Sequence, residues 1–209
     1  MSVLSTRLTA RYATPYPFAC AGMAFVGETV NLITFFGTAE QIAVCAEERV
    51  PIVSFHWGHP PADWLKPLHE AGVSVWEQIG SADAARLAVD DGAEAVIAQG
   101  WEAGGHNYGG LPTMVNVPAI ADAVGERAMV LAAGGITDGR QVAAALSLGA
   151  DGVWVGTRMV ASREARAHPE HHRRLLAATG DSSVLTSIFG PEFPQFNPMR
   201  LRRNRVVSE

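Results

Sequence analysis

The chain has 209 residues, is 48% hydrophobic and carries a formal net charge of −5. That is enough apolar sequence for one well-buried core, and the acidic balance excludes the basic footprint of a nucleic-acid binder. Two cysteines, Cys20 and Cys45, with no CxxC spacing exclude a disulfide scaffold and a thiolate metal site.

The first sixteen residues lack the apolar centre of a secretory signal. The longest apolar run, Phe18–Val26, is too short to span a bilayer. A cytoplasmic protein with neither a nucleic-acid nor a membrane partner is expected. Pro17–Gly22 and Thr29–Phe36 both read as strands, with only six residues between them. A parallel crossover takes about a dozen residues or more, so a unit is missing at this point.

From there the chain alternates regularly. Val50–Phe55 is a β-branched, apolar strand, and Pro61–Ala71 follows as a helix. Val73–Ile79 is the next strand, with Ser81 or Asp83 as N-cap of a helix running to Asp91. Ala93–Gln99 is a strand that runs into a glycine-rich loop, Gly100–Pro112, and then the helix Val115–Val124. Met129–Ala133 is a strand; Asp138 caps the helix Gly139–Leu148, and Gly149 stops it. Gly152–Val155 is a strand and Glu164–Ala178 a polar helix. The tail Arg200–Arg205 carries four arginines and reads as a solvated end or the start of a missing element rather than an RNA-binding arm.

Strand–helix alternation of this kind implies a parallel sheet, either open and doubly wound or closed as a (β/α)₈ barrel. Three successive strands end in glycine turns: Gly104-Gly105, Gly134-Gly135 and Gly156-Thr157. A barrel gathers all its strand ends around one mouth, whereas an open sheet concentrates its ligand contacts at one switch point. No strand leads into GxGxxG. The expectation is therefore a single α/β domain over residues 1–209, a TIM-type barrel with at most seven parallel strands, its second strand unit absent.

The run Gln99-Gly100-Trp101-Glu102-Ala103-Gly104-Gly105-His106 lets backbone approach a ligand and sets one titratable side chain at the rim. It resembles the sixth strand end of the nitronate monooxygenase family. Val30-Asn31-Leu32-Ile33 resembles the family's third strand, and Val50 through Gly58 its fourth. Ala132 through Ile136 and Gly149 through Arg158 resemble the seventh and eighth. The resemblance covers nearly the whole chain. It departs at Ala21-Gly22-Met23, where the family has Ala-Pro-Met, and at the missing second unit.

The resemblance implies an FMN-dependent barrel enzyme that oxidises alkyl nitronates or nitroalkanes with O2 to a carbonyl compound and nitrite. Its small-molecule partners would be the nitronate and O2. Phosphate suits backbone N–H groups after the seventh and eighth strands, which points to Gly134, Gly135, Gly156 and Thr157. Gln99, Gly104 and Asn31 match flavin-contacting positions of the family. Gly105, Gln78 and Met23 are further cofactor candidates, and ordinary packing is the alternative for Met23.

His106 is the catalytic candidate. Its neutral imidazole could take a proton from a carbon acid, and its protonated form could hold an anionic nitronate. His56 reads equally as pocket lining or packing. His59 reads as loop, and His168, His171 and His172 as surface. Trp76 and Trp101 either wall the site or fill the core, and Glu102 orients its loop. No metal site is expected. An NAD(P)H:quinone or enoyl reductase on the same fold, or a non-catalytic flavin-binding remnant, are the competing functions. The absent unit would leave strand edges uncovered, so a homo-oligomer is expected.

Overall fold

Seven apolar runs of the sequence become seven parallel strands, and the two most regular of them have the expected bounds. The structure is a computed structural model and describes residues 5–20, 31–33, 37–188 and 198–207, with backbone alone for 31–33. Met23 lies outside the described residues.

The chain begins with α1 (Arg7–Tyr12), β1 (Phe18–Cys20), β2 (Asn31–Ile33), α2 (Ala39–Glu47), β3 (Ile52–His56) and α3 (Ala62–Glu70). It continues through β4 (Ser74–Ile79), α4 (Ala82–Asp90), β5 (Ala95–Gln99), β6 (Gly105–His106), α5 (Thr113–Val124) and β7 (Met129–Ala133). Then come α6 (Gly139–Ser147), β8 (Gly152–Val155), α7 (Thr157–Val160), α8 (Pro169–Leu176), β9 (Ser183–Thr186) and β10 (Met199–Arg202). Ser81 and Asp138 cap α4 and α6 through their side chains. Gly149 follows α6 at φ 96°, the left-handed conformation that ends a helix most cheaply without a Cβ.

One sheet runs in the order β1-β8-β7-β5-β4-β3-β2, with every ladder parallel. The last barrel strand pairs with the first, which is the wrap-around of a TIM-type barrel. Among the described residues no ladder joins β1 to β2, the place where the missing unit's strand would stand.

β4, β5, β7 and β8 are buried along their whole length, as parallel strands covered on both faces must be. Side chains alternate between two cores. Val96, Ala98, Val130, Ala132, Val153 and Val155 face outward onto α4, α5 and α6. Trp76, Ala95, Ile97, Leu131, Ala133 and Trp154 face inward. A third cluster packs Val53, Phe55 and Val75 under α2 and α3.

The helix α1 was not apparent in the sequence. It closes the N-terminal end of the barrel: Leu8 enters the inner core, and Arg7 forks onto Asp151 at 2.5 and 2.6 Å. Tyr12 meets Ser74 at 2.9 Å, and Arg11 binds Glu94 at the start of another strand. The opposite end, where the strands finish, is left for a site.

Two expectations need correction. The polar segment is helical only over Pro169–Leu176, with the separate turn α7 directly after β8. The arginine tail is a strand as far as Arg202, and only Arg203 and Arg205 beyond it are a solvated end. Met199 and Arg200 of β10 pair antiparallel with His106 and Gly105, and β10 also pairs with β9. Met199 and Leu201 alternate with Arg200 and Arg202, the period of a strand with one apolar face. None of the helices among the described residues is long and apolar enough to cross a membrane.

Candidate active site

Three inward-facing polar side chains top the barrel interior: His56 from β3, Gln78 from β4 and Gln99 from β5. All three are buried. His56 Nδ1 lies 2.7 Å from Gln78 Oε1, an acceptor, so Nδ1 carries the proton and Nε2 accepts from the Ser54 hydroxyl at 3.1 Å. Burial pushes the His56 pKa down, against the opposing bond to Gln78, which agrees with a neutral ring. The arrangement leaves Gln78 Nε2 buried with no hydrogen-bond partner among the described residues. An orphaned donor at the mouth of a barrel calls for an acceptor from something bound there.

Gln99 is spent differently. Its Nε2 donates to the His106 carbonyl at 2.9 Å, and its Oε1 accepts from the Tyr108 N–H at 2.9 Å. The side chain thus bridges the backbone on either side of Asn107 and pins β6 over the end of β5. Asn116 of α5 in turn donates to the Gln99 carbonyl at 2.9 Å. Asn107 donates to the carbonyls of Ala103 and Gly105, and its own N–H reaches Pro198 at 2.9 Å. Sequence reasoning found Gln99 without these backbone bonds, and missed Asn107 and Asn116 altogether. Their partners are backbone groups, and no spacing rule reports those.

His106 is held by this network at the rim, half-buried, with its pKa lowered by burial. The ring of Trp57 meets its imidazole edge to face, with centroids 4.5 Å apart and the planes at 65°. Trp57 itself sits at φ 61°, a left-handed conformation that bulky residues adopt only under constraint. Such strain clusters at functional sites. The signal was the run His56-Trp57-Gly58 at a strand end, in which the histidine drew attention away from the tryptophan.

The glycine turns come together on the other side of the mouth. Gly156 precedes α7, and no side chain caps that short helix. A short extra helix after the eighth strand, with its first N–H groups open, is the usual phosphate-binding feature of these barrels. A Cβ on Gly104 would stand 2.8 Å from the Thr157 hydroxyl, so the turn after β5 lies close against the turn after β8. Gly134, at φ 110°, lies under the loop that follows β5. A Cβ there would come within 3.0 Å of the Ala103 nitrogen and the Gly100 oxygen, and its carbonyl accepts from Thr113. Gly134 therefore docks one loop on another, with Gly135 next to it beside Glu102.

Asn31 is the first described residue of β2, in register with Ser54, and only its backbone is described. Trp76 fills the lower interior and donates to Ser74 and Tyr12, while Trp101 is exposed. Glu102 accepts from the backbone and hydroxyl of Thr113, which satisfies the start of α5 where Pro112 offers no cap. His172 bonds the carbonyls of Ala161 and Ser162. His59, read as loop, bridges Glu77 and Asp91 on the outer face.

The family model for nitronate monooxygenase matches residues 11–207. The nitronate monooxygenase of Pseudomonas aeruginosa is 35% identical over 160 residues, covering 74% of this chain and 46% of that protein. The chain spans less than half the length of the curated relatives it matches. Among solved structures, FabK from Thermotoga maritima superposes with a TM-score of 0.84 at 31% identity, over 96% of this chain and 75% of that one. The nitroalkane oxidase from Streptomyces ansochromogenes gives 0.70 at 29% identity, over 95% and 65%.

Proposed function

The chain belongs to the nitronate monooxygenase family, and from that premise we propose that it is an FMN-dependent oxidoreductase acting on alkyl nitronates or nitroalkanes. O2 is the co-substrate, and the products are a carbonyl compound and nitrite. The observation that carries the reading is His106: a half-buried imidazole with a lowered pKa, fixed at a strand end beside Trp57.

The residues present fit a flavin mononucleotide. The uncapped start of α7, with Gly156 and Thr157, suits its phosphate, and Gly134 and Gly135 shape the neighbouring turn. The orphaned Gln78 amide offers a donor to a ring acceptor. Gly104 and Gly105 keep the approach clear of side chains. When bound, the flavin supplies the redox chemistry, and the protein orients and polarises.

His106 handles the proton. Burial keeps its imidazole neutral near neutral pH, so a nitrogen lone pair is available to take the acidic α-hydrogen of a nitroalkane. The imidazolium so formed stands beside the nitronate it has made and holds that anion by charge. A substrate supplied already as the nitronate skips the first step.

That difference gives the test. With FMN added, the purified chain is expected to take on flavin absorbance and to release nitrite from nitronate in air. His106→Asn is expected to slow the neutral nitroalkane about a hundredfold or more, and the preformed nitronate much less. Equal loss with both substrates would remove His106 from the proton step. A colourless protein that refuses FMN would refute the assignment, and flavin reduction by NADH with none by nitronate would turn it to a reductase.

A further inference from the structure

A cavity of about 550 Å³ lies beside His106, between α8 and β10. Each element gives it one face. His171 and Arg174 are three residues apart on α8 and therefore share a side of that helix. Met199 and Leu201 are two apart on β10 and share a side of that strand. Met199 stands directly opposite His106 in the ladder, so His106 lies at the inner end of the cavity. Arg202 and Asn204 close the outer end.

The charge is one-sided. No Asp or Glu lines the cavity among the described residues. Arg174 binds Glu170 at 2.5 Å, but that carboxylate is shared with Arg173 at 2.7 Å, so α8 keeps a surplus positive charge. Arg202 donates to the Arg203 carbonyl at 3.4 Å and has no carboxylate beside it among the described residues. Two guanidinium groups from separate elements, with the Asn204 amide and the His171 ring, surround a space whose inner wall is apolar.

We propose that this cavity binds an organic phosphate, its head between Arg174 and Arg202 and its apolar body along Met199 and Leu201 toward His106. A phosphate monoester carries close to two negative charges at neutral pH and matches both guanidinium groups, where a carboxylate matches one. The volume falls in the range of small-molecule sites, roughly 300–1,000 Å³. The role of such a ligand as the recognition arm of a substrate or co-substrate rests on the reading of His106 as the proton-handling residue. Binding itself does not.

The test is calorimetric titration of the full chain, saturated with FMN, using hexyl phosphate, hexanoate and inorganic phosphate. Hexyl phosphate is expected to bind about tenfold more tightly than either of the others, and more weakly as salt is raised. Arg174→Ala and Arg202→Ala are each expected to weaken it about tenfold. Melting curves of both variants check that they fold, and Arg174, on the surface of α8, is the substitution the fold tolerates more easily. Equal affinity for hexyl phosphate and hexanoate overturns the proposal, as does affinity unchanged in both variants. Hexyl phosphate that binds the FMN-free chain but not the FMN-saturated one also overturns it, since the cavity would then belong to the flavin. Tight hexyl phosphate binding by a chain that holds no flavin would refute the oxidoreductase reading and leave this one standing.

Discussion

Gln99 shows how a residue found by sequence can carry a structural role that the sequence does not show. A polar side chain at the end of an apolar strand faces the barrel mouth, and the resemblance implies a ligand contact. In the fold, the same amide satisfies the backbone on both sides of Asn107, seven and nine residues further on. We predict that Gln99→Leu, which removes its part-buried bonds to the His106 carbonyl and the Tyr108 N–H, costs about 1–3 kcal/mol in stability. Gln99→Glu can still accept from Tyr108 but cannot donate to His106, so it is expected to fall between. The discriminating measurement is the NMR titration of His106. If Gln99 sets the position of that ring, its pKa moves in Gln99→Leu; if Gln99 only supports the fold, denaturant midpoints change while the titration stays put. His106 itself was legible because a histidine after two glycines at a strand end has few purely structural uses. Trp57, Asn107 and Asn116 were not, because their roles depend on φ and on backbone partners that only folding brings near.

The barrel strands were legible as elements because burial on both faces demands unbroken apolar runs, and helix caps such as Ser81 and Asp138 mark boundaries chemically. The short pieces were not. The turn α7 has four residues and no capping side chain, and β10 shows a strand's alternation hidden within a cluster of arginines. On the outer face of β4, a cluster became visible only in three dimensions. Glu77 is buried, and its carboxyl is pushed up to about 7, by burial first, with His59 opposing and Asp91 adding to it. Burial would lower His59, but Glu77 and Asp91 outweigh it and raise its pKa. Both groups thus bind protons more tightly folded than unfolded. Their contribution to stability is present in mild acid and is lost as pH rises through about 7 and then through the raised His59 pKa. The melting midpoint of the wild type is expected to fall between about pH 5 and pH 8 from this cause, and Glu77→Gln is expected to flatten the decline. An identical pH profile in wild type and Glu77→Gln would show that the cluster titrates alike in both states.

At the scale of the molecule, the length arithmetic agrees with the strand order: six residues between the first two strand runs leave no room for a crossover, and among the described residues no ladder joins β1 to β2. What the arithmetic could not supply is a second layer. β9 and β10 are half-buried, with no fully buried residue, whereas the central barrel strands are buried throughout. The two layers meet at β6, where His106 pairs with Met199 and the Asn107 N–H reaches Pro198. Stability therefore resides mainly in the barrel, and the position of His106 depends on both layers. A chain ending at residue 197 loses β10, the partner of β6, and one whole wall of the cavity, but none of the apolar clusters. Its melting midpoint is expected to shift by a few degrees, the scale of about 1 kcal/mol in a domain of this size. Nitroalkane turnover is expected to fall about a hundredfold, as for loss of the proton acceptor itself. Activity and melting that decline together would mean that the outer sheet supports the barrel. Activity that falls while the barrel still melts cooperatively near its original midpoint would show that the arginine strand was kept to hold one imidazole in place.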